Sequence, residues 1–314
     1  MEKNKPTLIF MGTPDFAVPS LTALAESGNP ISLVVTQPDR PKGRGRKSTP
    51  PPVKVAAEKL GLPVLQPEAV KTDAVYQAFI EHQPDLLVVV AFGHILPKRI
   101  LEIPVFGAIN IHASLLPKYR GPAPIQWAII NGEEETGLTT MLMDSGLDTG
   151  EILLSTKMPI RPDDTAGTLH DRLALEGGNL LKDTIAALEA GSLNLTPQDH
   201  GAATYAPMLK KSDGRIDWSF PAEKIERQIR GMNPWPLAHC FYDGRRLNIF
   251  RAEVRPATQD ASPGTVLPGF SSELRVAAGK DAVSILEIQP SSGKRLNIRN
   301  FLSGNIIPEG STFQ

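Results

Sequence analysis

LIFMGTPDFAVPSLTALAESGNPISLVV, Leu8 to Val35, carries the reading of the fold. Leu8-Ile9-Phe10-Met11 and Ile31-Ser32-Leu33-Val34-Val35 are short apolar, β-branched runs bounded by Gly and Pro, the mark of strands buried on both faces. Between them, Phe16 to Glu26 can lay an apolar stripe against a sheet, so the stretch predicts one strand, a crossover helix and a parallel strand.

The same alternation continues outward. Leu86 to Val90 and Ala108-Ile109-Asn110-Ile111 predict further strands, and Val53 to Leu60 and Ala74 to His82 predict helices. The expectation is a Rossmann-like α/β domain around a mainly parallel sheet. A long amphipathic helix over Thr165 to Ala190, with a Gly177-Gly178 pair able to kink it, closes that domain. The polar run Lys210-Lys211-Ser212-Asp213-Gly214 suits a linker, which divides the chain into 1–206 and 207–314. Beyond it lie one helical segment, Pro221 to Arg230, and short strand-like runs at Arg246 to Ala252, Leu274 to Ala277 and Val283 to Ile288. Such a pattern predicts a smaller β-barrel or sandwich.

Composition narrows the class. A chain of 314 residues with 41% hydrophobic and 21% charged residues is ordinary for two globular domains, and indicates neither a disordered nor a membrane protein. Leu8 to Met11 is far too short for a signal-peptide core or a membrane span. The one cysteine, Cys240, can form neither an internal disulfide nor a thiolate metal site, which fits a reducing cytoplasm and a packing role. The net charge of −1 conceals an asymmetry: from residue 209 onward there are 15 Lys and Arg against 11 Asp and Glu. Arg40, Lys42, Arg44, Arg46, Lys47 and Lys54 form a second basic stretch, with no acid between them, which points to a polyanion.

The chemistry-bearing residues sit near a strand end. Asn110 and His112, two apart, share one face of an extended strand, and an amide beside an imidazole can present N–H groups to an oxyanion. Without the flanking sequence, strand-end hydrogen bonding by Asn110 and a capped surface position for His112 would account for the pair better. Ala113 to Gly121 follows the carboxyl end of a predicted parallel strand, where open α/β sheets bind ligands. Asp144 and Asp148 share a glycine-bounded loop; one suits acid/base work and the other a turn, and spacing does not choose. His82, His94 and His170 show no ligand spacing and read as structural or surface residues, so no metal is expected.

Asn110-Ile111-His112, Ser114-Leu115-Leu116-Pro117 and Gly146-Leu147-Asp148-Thr149-Gly150, in that order, resemble the signature of the 10-formyltetrahydrofolate-dependent formyltransferases and hydrolases. The resemblance implies that Asn110, His112 and Asp148 are the catalytic triad, and that Ser114, Leu115, Leu116 and Pro117 line the folate site. It selects Asp148 over Asp144, and implies 10-formyltetrahydrofolate as formyl donor. Met11 to Phe16, Thr36 to Arg46, Tyr119 to Gln126 and Asn233-Pro234-Trp235-Pro236 are similar to the members of that family that formylate the methionine carried by initiator tRNA. That narrower likeness spans nearly the whole chain; Lys42 and Pro122 replace smaller residues often found there. It implies initiator methionyl-tRNA as partner, an OB-like second domain that touches it, and tRNA contacts from Arg40, Lys42, Arg44, Arg46 and Lys47, with Arg44 the main reader. A cytoplasmic monomer with no membrane partner is expected. Asn233 to Pro236 reads equally well as a rigid turn with Trp235 packed in the second domain. The same triad would also serve a formyltransferase acting on a nucleotide-sugar amine or a 10-formyltetrahydrofolate hydrolase, and the basic loop favours tRNA over both. A non-catalytic RNA-binding protein on this fold is the rival from another class, and the complete triad argues against it.

Overall fold

The computed structural model describes residues 5–42, 47–257, 260–268 and 272–314. The chain divides into two compact units. The first comprises Met1–Gly121, Thr136–Pro159 and His170–Tyr205; the second comprises Pro122–Glu135, Ile160–Leu169 and Ala206–Gln314. The second thus takes two excursions from the amino-terminal half of the sequence.

In chain order the elements are β1 (Leu8–Gly12), α1 (Val18–Glu26), β2 (Ile31–Val35), β3 (Arg40–Lys42), β4 (Lys47–Thr49), α2 (Pro52–Lys59), β5 (Val64–Leu65), α3 (Asp73–His82) and β6 (Leu86–Val90). There follow α4 (Lys98–Leu101), β7 (Ala108–His112), α5 (Pro124–Asn131), β8 (Glu135–Leu142), β9 (Ile152–Pro159), α6 (Ala166–Ala190) and α7 (Ala222–Gly231). The chain ends with β10 (Ala238–Tyr242), β11 (Arg245–Arg255), β12 (Leu274–Ala277), β13 (Ala282–Pro290), β14 (Leu296–Asn297) and α8 (Ile298–Gly304).

The first unit is built on a seven-stranded sheet in the order β5-β2-β1-β6-β7-β8-β9. From β5 to β7 all neighbours run parallel, and β8 returns antiparallel to β7. β1 and β6 are buried along their whole length, as apolar runs covered on both faces must be. One core cluster joins Ile9, Met11, Leu33, Val35, Leu87 and Val89 to Phe79 and Ile100. Each such side chain contributes about 1.5–3 kcal/mol on full burial. β8 escaped the apolar-run reading because it buries Thr136, Thr139 and Thr140. Their hydroxyls find partners inside the unit: Thr140 bonds Thr184 at 2.9 Å, and Thr139 donates to the Ser114 carbonyl at 2.7 Å. α6 runs unbroken through Gly177-Gly178. The pair serves close packing instead, since a Cβ on Gly178 would lie 3.1 Å from Ala23 Cβ and from the Pro19 carbonyl.

The second unit carries an antiparallel sheet, β10-β11-β13-β12, with β14 paired to β13. Ile225 and Ile229 of α7, four apart on one helix face, enter the same core as Ile249, Val276, Val283 and Ile285. α5 packs on α7 at Gly231, where a Cβ would meet Ile130 Cγ1 at 2.5 Å. The polar stretch at 210–214 is folded into this unit: Lys211–Gly214 is a 3-10 turn in which Lys210 N donates to Asp213 Oδ2 at 2.7 Å.

Candidate active site

In the first unit the carboxyl end of β7 delivers Asn110 and His112 to one face, two residues apart on a strand. His112 is buried, and its Nε2 lies 2.9 Å from the Tyr119 carbonyl oxygen. A carbonyl only accepts, so Nε2 carries the proton and Nδ1 is the atom free for chemistry. Nδ1 faces Asp148 Oδ2 at 3.6 Å. At that separation the two atoms do not hydrogen-bond each other, and one donor group placed beside them can reach both. Asn110 is half-buried, and its side-chain amide has no hydrogen-bond partner among the described residues.

The loop after β8 separates its two carboxylates by role. Asp144 is a turn residue: Oδ1 accepts from Gly146 N at 2.9 Å and from Thr149 Oγ1 at 2.7 Å. Asp148 instead turns to the strand ends, its backbone at φ 52°, in the left-handed region that favours glycine. Its Oδ2 accepts from Gly121 N at 2.8 Å. Gly150 closes the loop where no side chain fits, because a Cβ would stand 1.6 Å from the Leu142 carbonyl oxygen. Asn110, His112 and Asp148 therefore gather at one sheet edge.

The side chains of Ser114 to Pro117 divide between buried and half-buried positions. Ser114 is buried and donates to the Lys118 carbonyl at 2.6 Å; Leu116 is buried and its N–H is bound by Thr139 Oγ1 at 3.1 Å. Leu115 packs where Gly137 leaves space, and Pro117 follows a cis peptide bond. Leu115 and Pro117 are the half-buried members of the run. Two neighbours of these residues complete the edge, and sequence reasoning passed over the second of them. The turn Tyr119 to Gly121 contributes only main-chain atoms to His112 and Asp148, which composition does not reveal. The carboxyl end of β6 continues into Ala91 and Gly93, both at positive φ, and then Ile95, 82% exposed. The Phe92 carbonyl there accepts from Thr13 Oγ1 and Gln37 Nε2. The signal for that segment was topological: β6 is the parallel neighbour of β7, so its carboxyl end shares the ligand-binding edge.

The basic segment roots in β3 and β4, paired antiparallel with Lys42 opposite Lys47. Arg40 is exposed; Arg44 and Arg46 lie outside the described residues, as do the side chains of Lys42 and Lys47. Lys54 leaves the basic run, because its Nζ pairs with Asp39 at 2.9 Å. Hydrogen bonds from Gln66 and Lys54, with the Lys54 charge, hold the Asp39 carboxyl below its ordinary pKa. A cavity of about 920 Å³ opens beside this segment, lined by Thr13, Pro19, Arg40, Pro51, Val55 and Lys59 among others. None of the triad lines it.

In the second unit, the Asn233 to Pro236 turn is held by Asn233 Nδ2 donating to the Phe250 carbonyl at 3.1 Å and Gly167 N donating to the Asn233 carbonyl at 3.0 Å. Trp235 is 50% exposed, which corrects the expectation of a packed ring. Among the described residues no group of His, Cys, Asp and Glu could hold a metal ion, and no helix is long and apolar enough to cross a membrane.

Comparison with known proteins bears on this geometry. Residues 5–185 match the family model described as formyl transferase, and residues 208–305 match that of the formyl transferase C-terminal domain. The methionyl-tRNA formyltransferase of Desulfotalea psychrophila is 53% identical over 303 residues, 96% of this chain and 94% of its own. That of Geobacter metallireducens is 51% identical, covering 97% of both chains. Among solved structures, WlaRD, a sugar 3N-formyl transferase in the presence of dTDP and 5-N-formyl-THF, superposes with a TM-score of 0.65 at 19% identity, over 93% of this chain and 99% of that one. HypX from Aquifex aeolicus in complex with tetrahydrofolic acid gives 0.60 at 17% identity, over 95% of this chain and 47% of that one. Both show a shared fold.

Proposed function

Because the chain belongs to the formyltransferase family, with methionyl-tRNA formyltransferases as near full-length relatives, we propose that it transfers a formyl group from 10-formyltetrahydrofolate to the α-amino group of methionyl-initiator tRNA. The observation that carries the reading is the convergence of an unpartnered amide, an imidazole with Nδ1 free and a carboxylate at one sheet edge. That donor set suits a carbonyl carbon that becomes tetrahedral.

The methionyl ammonium docks beside His112 Nδ1 and Asp148 Oδ2, within donating reach of both, and loses a proton to the pair. Its nitrogen then forms a bond to the formyl carbon, and the C=O π pair moves onto oxygen. The Asn110 amide and the protonated Nδ1 of His112 donate to that oxyanion; losing one such donor costs about 10² to 10³ in rate. When the oxygen pair reforms the carbonyl, the bond to the folate N10 breaks. The amine nitrogen sheds a second proton, and the pair returns one proton to N10, so one proton in all leaves to solvent. Gly121 N and Tyr119 O hold the carboxylate and the imidazole ring in place throughout.

Arg40, Lys42, Arg44, Arg46 and Lys47 serve the tRNA in this reading, pairing with phosphates or stacking on bases near the acceptor end. The carboxyl-terminal domain contributes further contacts, and the enzyme works as a cytoplasmic monomer. Leu115 and Pro117 are the members of the 114–117 run available to folate. The test is formation of formyl-methionyl-tRNA from charged initiator tRNA and 10-formyltetrahydrofolate. Formate release without any tRNA-dependent product would make the protein a hydrolase, and product from a nucleotide-sugar amine alone would assign it to that branch.

A further inference from the structure

Arg120 is 2% exposed, and among the described residues no carboxylate forms an ion pair with it. A buried cation held only by neutral groups is costly, so its partners matter. Arg120 Nε and Nη2 donate to Gln198 Oε1 at 3.1 and 2.7 Å, and Nη2 lies 3.2 Å from His200 Nδ1. Gln198 is itself buried and spends its other end on the catalytic loop. Its Nε2 donates to the Asp148 carbonyl at 2.9 Å and to the Gly150 carbonyl at 2.7 Å. The orientation of this amide is dictated by chemistry: guanidinium only donates and carbonyls only accept. All four hydrogen-bonding positions of Gln198 are filled.

The connections close into a ring. The Asp148 carboxylate binds Gly121 N; Gly121 follows Arg120; the Arg120 side chain binds Gln198; Gln198 binds the Asp148 carbonyl. Thr204 steadies the same tripeptide, accepting from Arg120 N through its carbonyl and from Tyr119 N through Oγ1, both at 2.8 Å. Asp148 sits at positive φ, a conformation that persists where the surroundings over-determine it.

We infer that Gln198 is a positioning residue for formyl transfer, a clamp anchored on buried Arg120 that holds the Asp148 main chain so that its carboxylate meets His112. The inference rests on the function proposed above, and Gln198 itself touches no reacting atom.

Gln198→Glu is the incisive variant: the shape is kept and Arg120 gains a carboxylate, which protects folding, while both donations to the catalytic loop are lost. Steady-state formylation should show kcat down by about 10- to 100-fold, the cost of a small misplacement, with KM for tRNA and folate within about twofold. The backbone amide resonance of Gly121, in protein labelled with ¹⁵N-glycine and without substrate, should move most of the way to its position in Asp148→Ala. A general loss of packing would not single out that resonance. Gln198→Ala should reproduce both effects. An unmoved Gly121 amide in Q198E, or an unchanged kcat, overturns the clamp. A wild-type protein that makes no formyl-methionyl-tRNA rejects the function instead, and leaves the amide measurement to judge the clamp independently.

Discussion

Arg120 of the first unit and three arginines of the second are held in opposite ways. In the first, Arg120 is buried and bound to an amide and an imidazole, and through Gln198 its position is tied to Asp148. In the second, Arg255, Arg275 and Arg295 are partly exposed beside Glu253, Glu273 and Glu287, partners in or next to strands of one sheet. Exposed pairs of that kind contribute about 0–1 kcal/mol, so they tune surface charge and hold little in place. The lesson is that charge count and charge function part company: one buried guanidinium constrains more of the structure than several exposed ones.

The contrast predicts different failures on the two sides. Asp148→Ala should lower kcat by about 10³ or more while tRNA affinity, read by filter binding, stays near wild type. Unchanged turnover would remove Asp148 from the mechanism. Ile285→Ala, at a fully buried position in the second unit's sheet, should cost about 2–5 kcal/mol in chemical denaturation, with kcat per folded molecule little changed. A kcat loss as large as that of Asp148→Ala would erase the division of labour.

A smaller effect is expected at the basic segment. Arg44→Ala should weaken productive tRNA binding by about tenfold and reduce the slope of log affinity against log salt by about one phosphate contact. Affinity that ignores salt would exclude a phosphate-binding role. Smallest is a pH effect in the second unit. Burial pushes the pKa of His239 below its ordinary 6.5, opposed by a hydrogen bond to the Leu237 carbonyl and reinforced by the charges of Arg246 and Arg215. His239 therefore takes up its proton at lower pH in the fold than in the unfolded chain. Stability from this residue is complete above the ordinary value and drains away as pH falls from about 6.5 toward the lower folded value. Urea midpoints between about pH 7 and about pH 5 should fall less steeply for His239→Asn than for wild type. Equal slopes would show that the ring is not kept neutral by the fold.

Much of this architecture was readable before any coordinates. β1, β2, β6 and β7 are apolar runs with no rival interpretation, and α6 shows its stripe over seven turns. β8 was hidden because threonines that satisfy one another in the interior look polar in a sequence. Within the site, the two-residue spacing of Asn110 and His112 was enough to align them, since a strand alternates faces. Gln198 was illegible: it sits in Thr196-Pro197-Gln198-Asp199, an ordinary loop composition with no period.

Local pattern thus sufficed for the strands, the helices and the pool of polar residues at the end of β7, because each depends on neighbours a few residues away. It took long-range folding to make Asp148 rather than Asp144 face His112, to leave Nδ1 as the free ring nitrogen, and to bury Arg120 against Gln198. Those outcomes rest on main-chain carbonyls and N–H groups of Tyr119, Gly121, Asp148 and Gly150. Every residue type owns such groups, so their direction is written in the path of the backbone and not in the identity of any side chain.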